Sequence, residues 1–196
     1  MKSELKSLIK IAGSALEAED KVLIKAVASN QVAYPHRKWG ILCLDDRYLK
    51  FAVVRALYSS AFPFATAIEM ELKVNSHDLV LHYPNDDSRW FAAVEMRRWT
   101  GRIEYDWKEI RSIRRAINEK LRLSKAENAL MLVLAANSRG KANWNLGGLA
   151  KKLGISQTED HSVWEIYCFP TVDELGLEVA DFCLAGFEVQ RANMPK

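Results

Sequence analysis

Three charged residues stand where strand interiors ordinarily exclude charge. In HDLVLHYPNDDSRWFAAVEMRRW, residues 77–99, Asp78 opens one apolar run, and Glu95 and Arg97 sit inside a second. An unpaired buried charge is costly, so these groups are either solvated or converge on something. Glu95 and Arg97 are two apart on a strand, so they share a face with Phe91, Ala93 and Trp99. Asp78 begins the neighbouring strand, where a hairpin sets it beside Glu95. In the preceding helical stretch, Asp46 lies within roughly 20° of Val53 and Leu57 when about 100° is counted per residue. It therefore points with the apolar stripe towards the sheet. Carboxylates meeting at one point suit Mg²⁺, or Mn²⁺, which takes oxygen ligands and keeps several waters. Such an ion activates water and stabilises charge during in-line displacement at phosphorus. A cation beside Glu95 would neutralise the pentacovalent phosphate. The plainer alternative is a pair of solvated hairpin carboxylates with Arg97 bridged to one of them. Glu71 is a rival third acid. His82 shares the Asp78 face, but lone strand histidines, His77 included, are more often structural. Two facing carboxylates without metal repel, so neutralising either is expected to leave stability unchanged or slightly raised.

The elements that must hold these residues follow from changes of period. Residues 3–29 read as helix, with a break near Gly13-Ser14, and 45–59 as a second helix striped by Leu49, Val53, Ala56 and Leu57. Residues 65–74 alternate as a strand, and 78–83 and 90–99 are two more, joined by the turn formers of PNDDSR. Residues 105–123 form a long helix with Ile110, Ile113, Ile117 and Leu121 inward. Residues 128–136 are almost wholly apolar, the pattern of a strand covered on both faces. A short helix at 146–153, a strand at 163–169 and a C-terminal helix from about Asp173 complete the chain. The class is α/β with a mixed central sheet. Residues 1–40 read as an N-terminal helical extension and 41–196 as the main unit, together one structural domain.

Composition narrows the classes of function. The chain has 196 residues, 49% hydrophobic and 27% charged, with a net charge of +3, as ordinary soluble domains have. The N-terminal segment lacks the apolar centre of a signal peptide, and the longest apolar run, 129–136, is too short to span a bilayer. Three scattered cysteines, Cys43, Cys168 and Cys183, suggest reduced thiols and a cytoplasmic protein without a membrane role. There is no P-loop, dinucleotide glycine fingerprint, H-E-x-x-H or G-x-S-x-G. LAKKLGIS, 149–156, looks like the start of a helix-turn-helix, but a strand-like HSVWEIYCF follows where a recognition helix is needed.

Ten basic residues fall between 95 and 125 against five acids, with Trp99, Tyr105 and Trp107 among them. Arg98, Arg102, Arg111, Arg114 and Arg115 are the candidates for a nucleic-acid backbone, with aromatic rings available for stacking. The alternative is a solvated helix face laced by pairs such as Arg115 with Glu119.

Asp78 followed by Glu95-x-Arg97, behind an acidic helix and ahead of a basic helix and an apolar strand, resembles the PD-(D/E)-x-K nuclease superfamily. The resemblance covers about residues 45–170, mostly through the order of elements. It implies a restriction-endonuclease-like three-layer sandwich with an α-β-β-β-α-β core, here with extra N- and C-terminal helices. It also implies Mg²⁺-dependent phosphodiester hydrolysis of nucleic acid, most naturally DNA. Asp78 and Glu95 would then be catalytic metal ligands, with Asp46 assisting, and a homodimer would suit cutting of both strands. Arg97 stands where the family has lysine. It keeps the charge but presents a planar fork and does not accept a proton. Lys73 is a candidate substitute. The superfamily includes members without catalysis, so a nucleic-acid-binding or protein-interaction module of the same fold is the alternative.

Overall fold

The computed structural model describes residues 2–29, 31, 40–72, 75–99, 107–122, 124–138, 146–155, 164–173 and 175–189. In chain order these form α1 (Lys2–Ala28), a 3-10 turn (Gly40–Cys43), α2 (Asp46–Tyr58), β1 (Ala65–Leu72), β2 (Asn75–Tyr83) and β3 (Asp86–Trp99). Then come α3 (Trp107–Ala116) running into a π turn (Ile117–Leu121), β4 (Asn128–Ser138), α4 (Leu146–Leu153), β5 (Trp164–Val172) and β6 (Glu178–Glu188). The six strands make one mixed sheet in the order β1-β2-β3-β4-β6-β5. The first three are an antiparallel meander. Its second turn is tight because Asn85 accepts a left-handed backbone, φ 67°. β3 and β4 run parallel, which requires a crossover, and α3 supplies it. β6 and β5 continue the sheet antiparallel.

The central strand shows why the sheet must be covered twice. Leu130, Leu132 and Leu134 of β4 join a buried cluster with α1 and α2. Ala129, Met131, Val133 and Ala135 join another with α3, the π turn and α4. Both faces of 129–135 are buried, as the apolar composition predicts.

On the first face, α1 packs Leu5, Leu8, Ile9, Ala12 and Leu16 into the cluster. The expected break at Gly13 does not occur, and α1 runs straight through. Gly13 is there because the Tyr167 ring occupies the space that a Cβ would need. Further along α1, buried Asp20 accepts the Ile41 N–H at 2.9 Å. The adjacent Gly40, φ 51°, leaves room for that carboxylate. Burial pushes the Asp20 carboxyl above its usual range. This contact anchors the start of the 3-10 turn, from which the chain enters α2. Asp45 caps α2 by accepting the Arg47 N–H.

Two expectations are corrected. The C-terminal segment is β6, not a helix. The Asp173 carboxylate accepts the N–H groups of both Leu175 and Leu177, and Gly176 takes φ 77°, so the chain turns back sharply. Residues 178–188 then fill the free edge of β4, with Phe182 and Leu184 in one cluster and Ala185 and Phe187 in the other. A strand apolar on both faces shows no alternation, which is why it resembled a buried helix. Cys168 and Cys183 are not free thiols either. They are direct partners in the β5/β6 register and form a disulfide. Among the described residues no helix is long and apolar enough to cross a membrane.

Leu132, fully buried midway along β4, tests this architecture. Leu132→Ala is expected to cost about 2 to 5 kcal/mol, as large-to-small core changes do. Urea denaturation measures it, and a loss below about 1 kcal/mol would mean that β4 is peripheral.

Candidate functional site

The β2/β3 ladder runs out just where the charges begin. Its last register pair towards this end is Leu79 with Val94. One residue further, the Asp78 carboxylate accepts the Met96 N–H at 2.8 Å, so a side chain takes over from the ladder. Lys50, on α2, donates to the other Asp78 oxygen. Arg97 then joins the two strands: its Nη1 lies 3.8 Å from Asp78 Oδ2 and its Nη2 3.1 Å from Glu95 Oε2. The Glu95 side chain is 0% exposed, with Lys120 Nζ 3.5 Å and His77 Nδ1 3.7 Å from its Oε1. Two carboxylates thus face three formal cations, with an imidazole alongside.

Local structure explains how both helical layers reach one point. Val94 and Met96 belong to the α1/α2 cluster, whereas Ala93 and Trp99 belong to the α3 cluster. Glu95 follows the parity of Ala93, so it points towards α3. Phe91, by contrast, joins the α1/α2 cluster, because the β2/β3 register shifts around His82. Lys120 comes from the π turn, whose Ile117 and Leu121 are both fully buried. The widened turn keeps both apolar side chains in the core while Lys120 meets Glu95. Neither Glu95 oxygen makes a well-formed hydrogen bond, nor does His77 Nδ1 or Arg97 Nε. Buried polar groups are nearly always satisfied, so this cluster has unused acceptor and donor capacity.

The remaining candidates fall in different places. Asp46 is half-exposed and pairs with Arg98 at 3.0 Å. Arg98 also donates to the Leu44 carbonyl, at 2.7 Å, and so ties the entrance of α2 to β3. No group of three Asp, Glu, His or Cys side chains able to hold a metal occurs among the described residues. His82 is buried edge-on to Trp90. Arg102 and Lys73 lie outside the described residues, as does the Glu71 side chain. Arg111, Arg114 and Arg115 are exposed on α3. They line an open groove with Trp107 and Asn118, floored by Ile110. Arg115 is held by Glu119, both carboxylate oxygens lying 2.9 Å from its Nε.

Sequence reasoning missed Lys50 and Lys120. Lys50 is four residues after Asp46 and shares its side of α2, so the count that selected Asp46 also selects Lys50. Lys120 had no such signal, since a π turn is not legible in residue spacing. Comparison with family models, curated proteins and solved structures finds no match.

The interleaved cations reverse the expectation that losing a carboxylate is harmless. Asp78 and Glu95 do not confront each other bare, because Arg97 lies between them. Glu95→Gln should leave Lys120 and Arg97 short of a counter-charge and cost roughly 3 to 5 kcal/mol, the range for breaking a buried pair. Adding Lys120→Met should recover part of that loss in a double-mutant cycle. Strict additivity by chemical denaturation would show that the two side chains do not interact.

Proposed function

We propose that this chain is a restriction-endonuclease-like domain that binds nucleic acid, DNA first among candidates, and hydrolyses its phosphodiester bonds with Mg²⁺ or Mn²⁺. The observation that carries the reading is Arg97 reaching both Asp78 and Glu95 at the mouth of the β2/β3 hairpin. Its support in the fold is the run α2-β1-β2-β3-α3-β4, a meander followed by a parallel strand, which follows the α-β-β-β-α-β order of the resembled superfamily. The donor set fits a hard cation. Asp78 and Glu95 offer carboxylate oxygens, and those of Glu95 are buried without a well-formed hydrogen bond.

When bound, such an ion supplies a water of lowered pKa and positive charge at phosphorus. The chain's own residues do the rest. Asp78 and Glu95 would hold the ion, and the Met96 N–H fixes the Asp78 carboxylate in place. Arg97, partly exposed, presents its fork to the non-bridging phosphate oxygens, where it neutralises charge without exchanging a proton. Lys50 and Lys120 sit on the outer sides of the two acids and counter the charge that remains. On α3, Arg111, Arg114 and Arg115 bear on the backbone of the bound strand. A cytoplasmic site of action belongs to this reading, as does a homodimer if both strands are cut. Reduction in that compartment would open the Cys168–Cys183 bond without unpairing β5 from β6, which the backbone ladder holds.

A second reading rests on the same cluster. Lys50, Arg97 and Lys120 already answer both carboxylates, and Asp46 is drawn off by Arg98. An acid pair so compensated suits a non-catalytic member of the fold that only binds nucleic acid or protein.

Calorimetry with Mg²⁺ and Mn²⁺ separates the two, together with cleavage assays on DNA and RNA. The nuclease reading expects metal binding that Asp78→Asn abolishes while folding persists, since the amide oxygen can still accept the Met96 N–H. Arg97→Lys should retain or raise cleavage, and Arg97→Ala should lower it by on the order of 10² or more. No metal binding and no cut substrate would leave the non-catalytic reading in possession.

A further inference from the structure

The α3 groove carries an inference that rests on the nucleic-acid part of the reading above, though not on metal or cleavage. Trp107, Arg111, Arg114 and Asn118 recur at i, i+4, i+7 and i+11. At about 100° per residue Trp107, Arg111 and Arg114 lie within roughly 40° of one line along α3, and Asn118 follows on the π turn. At about 1.5 Å per residue the α3 part of the stripe is roughly 10 Å long. Trp107, Arg111 and Arg114 are exposed, and the stripe runs along the edge of the buried face that Ile110, Ile113 and Ile117 turn to the sheet. Trp107 is 68% exposed, more than any other tryptophan among the described residues.

Charge in the groove is strongly one-sided. Its only acid among the described residues, Glu119, is taken by Arg115. Arg111 and Arg114 are exposed and have no ion-pair partner among the described residues. The stripe therefore offers one exposed indole followed by two guanidinium groups without an ion-pair partner among the described residues. A guanidinium recognises phosphate bidentately, and an indole face gains most from a flat π surface laid on it. A duplex satisfies the first group and not the second, because its base faces are already stacked. An acidic peptide likewise leaves the indole uncovered. An unpaired strand satisfies both, with a base on Trp107 and successive phosphates on Arg111 and Arg114.

We propose that the α3 groove binds single-stranded nucleic acid, stacking a base on Trp107 and gripping the backbone with Arg111 and Arg114. An unpaired segment held there would be what the candidate site of the proposed function acts beside.

Fluorescence anisotropy on the full chain, in EDTA so that metal plays no part, tests it. The probes are a labelled oligothymidylate of about 15 nucleotides, matching the size of single-strand sites, and a duplex of the same length, with polyglutamate as competitor. The single strand should bind about tenfold or more tightly than the duplex. Trp107→Ala should weaken single-strand binding about tenfold, the scale of one lost base stack. The same change should leave duplex binding and the melting temperature unchanged, because the side chain is exposed. Trp107→Phe should restore most of the loss. Arg111→Ala with Arg114→Ala should make the slope of log K against log salt shallower by about 1.4, from two lost single-strand phosphate contacts. Equal affinity for duplex, wild-type binding by Trp107→Ala, displacement by polyglutamate as effective as by DNA, or no oligonucleotide binding would each overturn the proposal. Metal-dependent cleavage without this groove's contribution would sink the groove and spare the nuclease reading. The reverse result would do the opposite.

Discussion

A fully buried glutamate is the constraint on which the rest of the structure turns. Removing the Glu95 carboxylate from water costs several kcal/mol unless opposite charge is brought to it. No single element supplies that charge. Arg97 comes from the same strand and Lys120 from the helical layer beyond it, with the His77 imidazole alongside from the neighbouring strand. Asp78 is drawn into the same seam by Arg97 and is met from the other layer by Lys50. The charges therefore stitch α2, β2, β3 and the π turn together, where apolar packing alone would not choose a register. Apolar contacts tolerate sliding far better than a carboxylate that must meet three partners.

The topology supplies the geometry that this seam needs. Because β3 pairs with β2 on one side and runs parallel to β4 on the other, it is covered by helices on both faces. A charge in its interior can then be answered from α2 or from α3. The parallel pair forces the chain over the second face, and the crossover helix is what delivers Lys120. Where the β2/β3 ladder stops, Asp78 occupies the place of a backbone acceptor for Met96. The end of the hairpin is thus a structural joint and the candidate reaction centre together, since the group that finishes the ladder is also an anion.

Much of this was legible in sequence, for reasons that differ by element. Strand β1 declared itself by alternation, β2 and β3 by the turn formers that join them, and β4 by its unbroken apolar run. The pairing of Asp78, Glu95 and Arg97 followed from the two-residue period and one hairpin. β6 was not legible, because residues apolar on both faces lose the alternation that distinguishes strand from helix. The disulfide was hidden because Cys168 and Cys183 become neighbours only through that strand. Asp46 was read from helical phase alone, which fixes direction but not partner, and Arg98 claimed it. Phase also missed Lys120, whose position depends on a widened turn. Charge pairing is settled by which cation arrives first in space, and spacing along the chain carries little of that.

α3 and its π turn then have two jobs on two faces. Inward, Ile110, Ile113, Ile117 and Leu121 seat the segment on the sheet, and Lys120 completes the charge around Glu95. Outward, Trp107, Arg111 and Arg114 face solvent. A ligand gripped along the outer stripe would be held by the same rigid segment that ends against the buried carboxylate. That is a short mechanical path, one helix long, with no loop between grip and site. A net charge of only +3 is compatible with the nucleic-acid surface proposed for this segment. The basic residues are concentrated on one segment, and the acids that balance them are spent elsewhere: Glu95 and Asp78 in the seam, Glu127 with Arg89 and Glu19 with Arg55. Local charge, set by which pairs form, decides the surface that a partner meets, and the net charge of the chain conceals it.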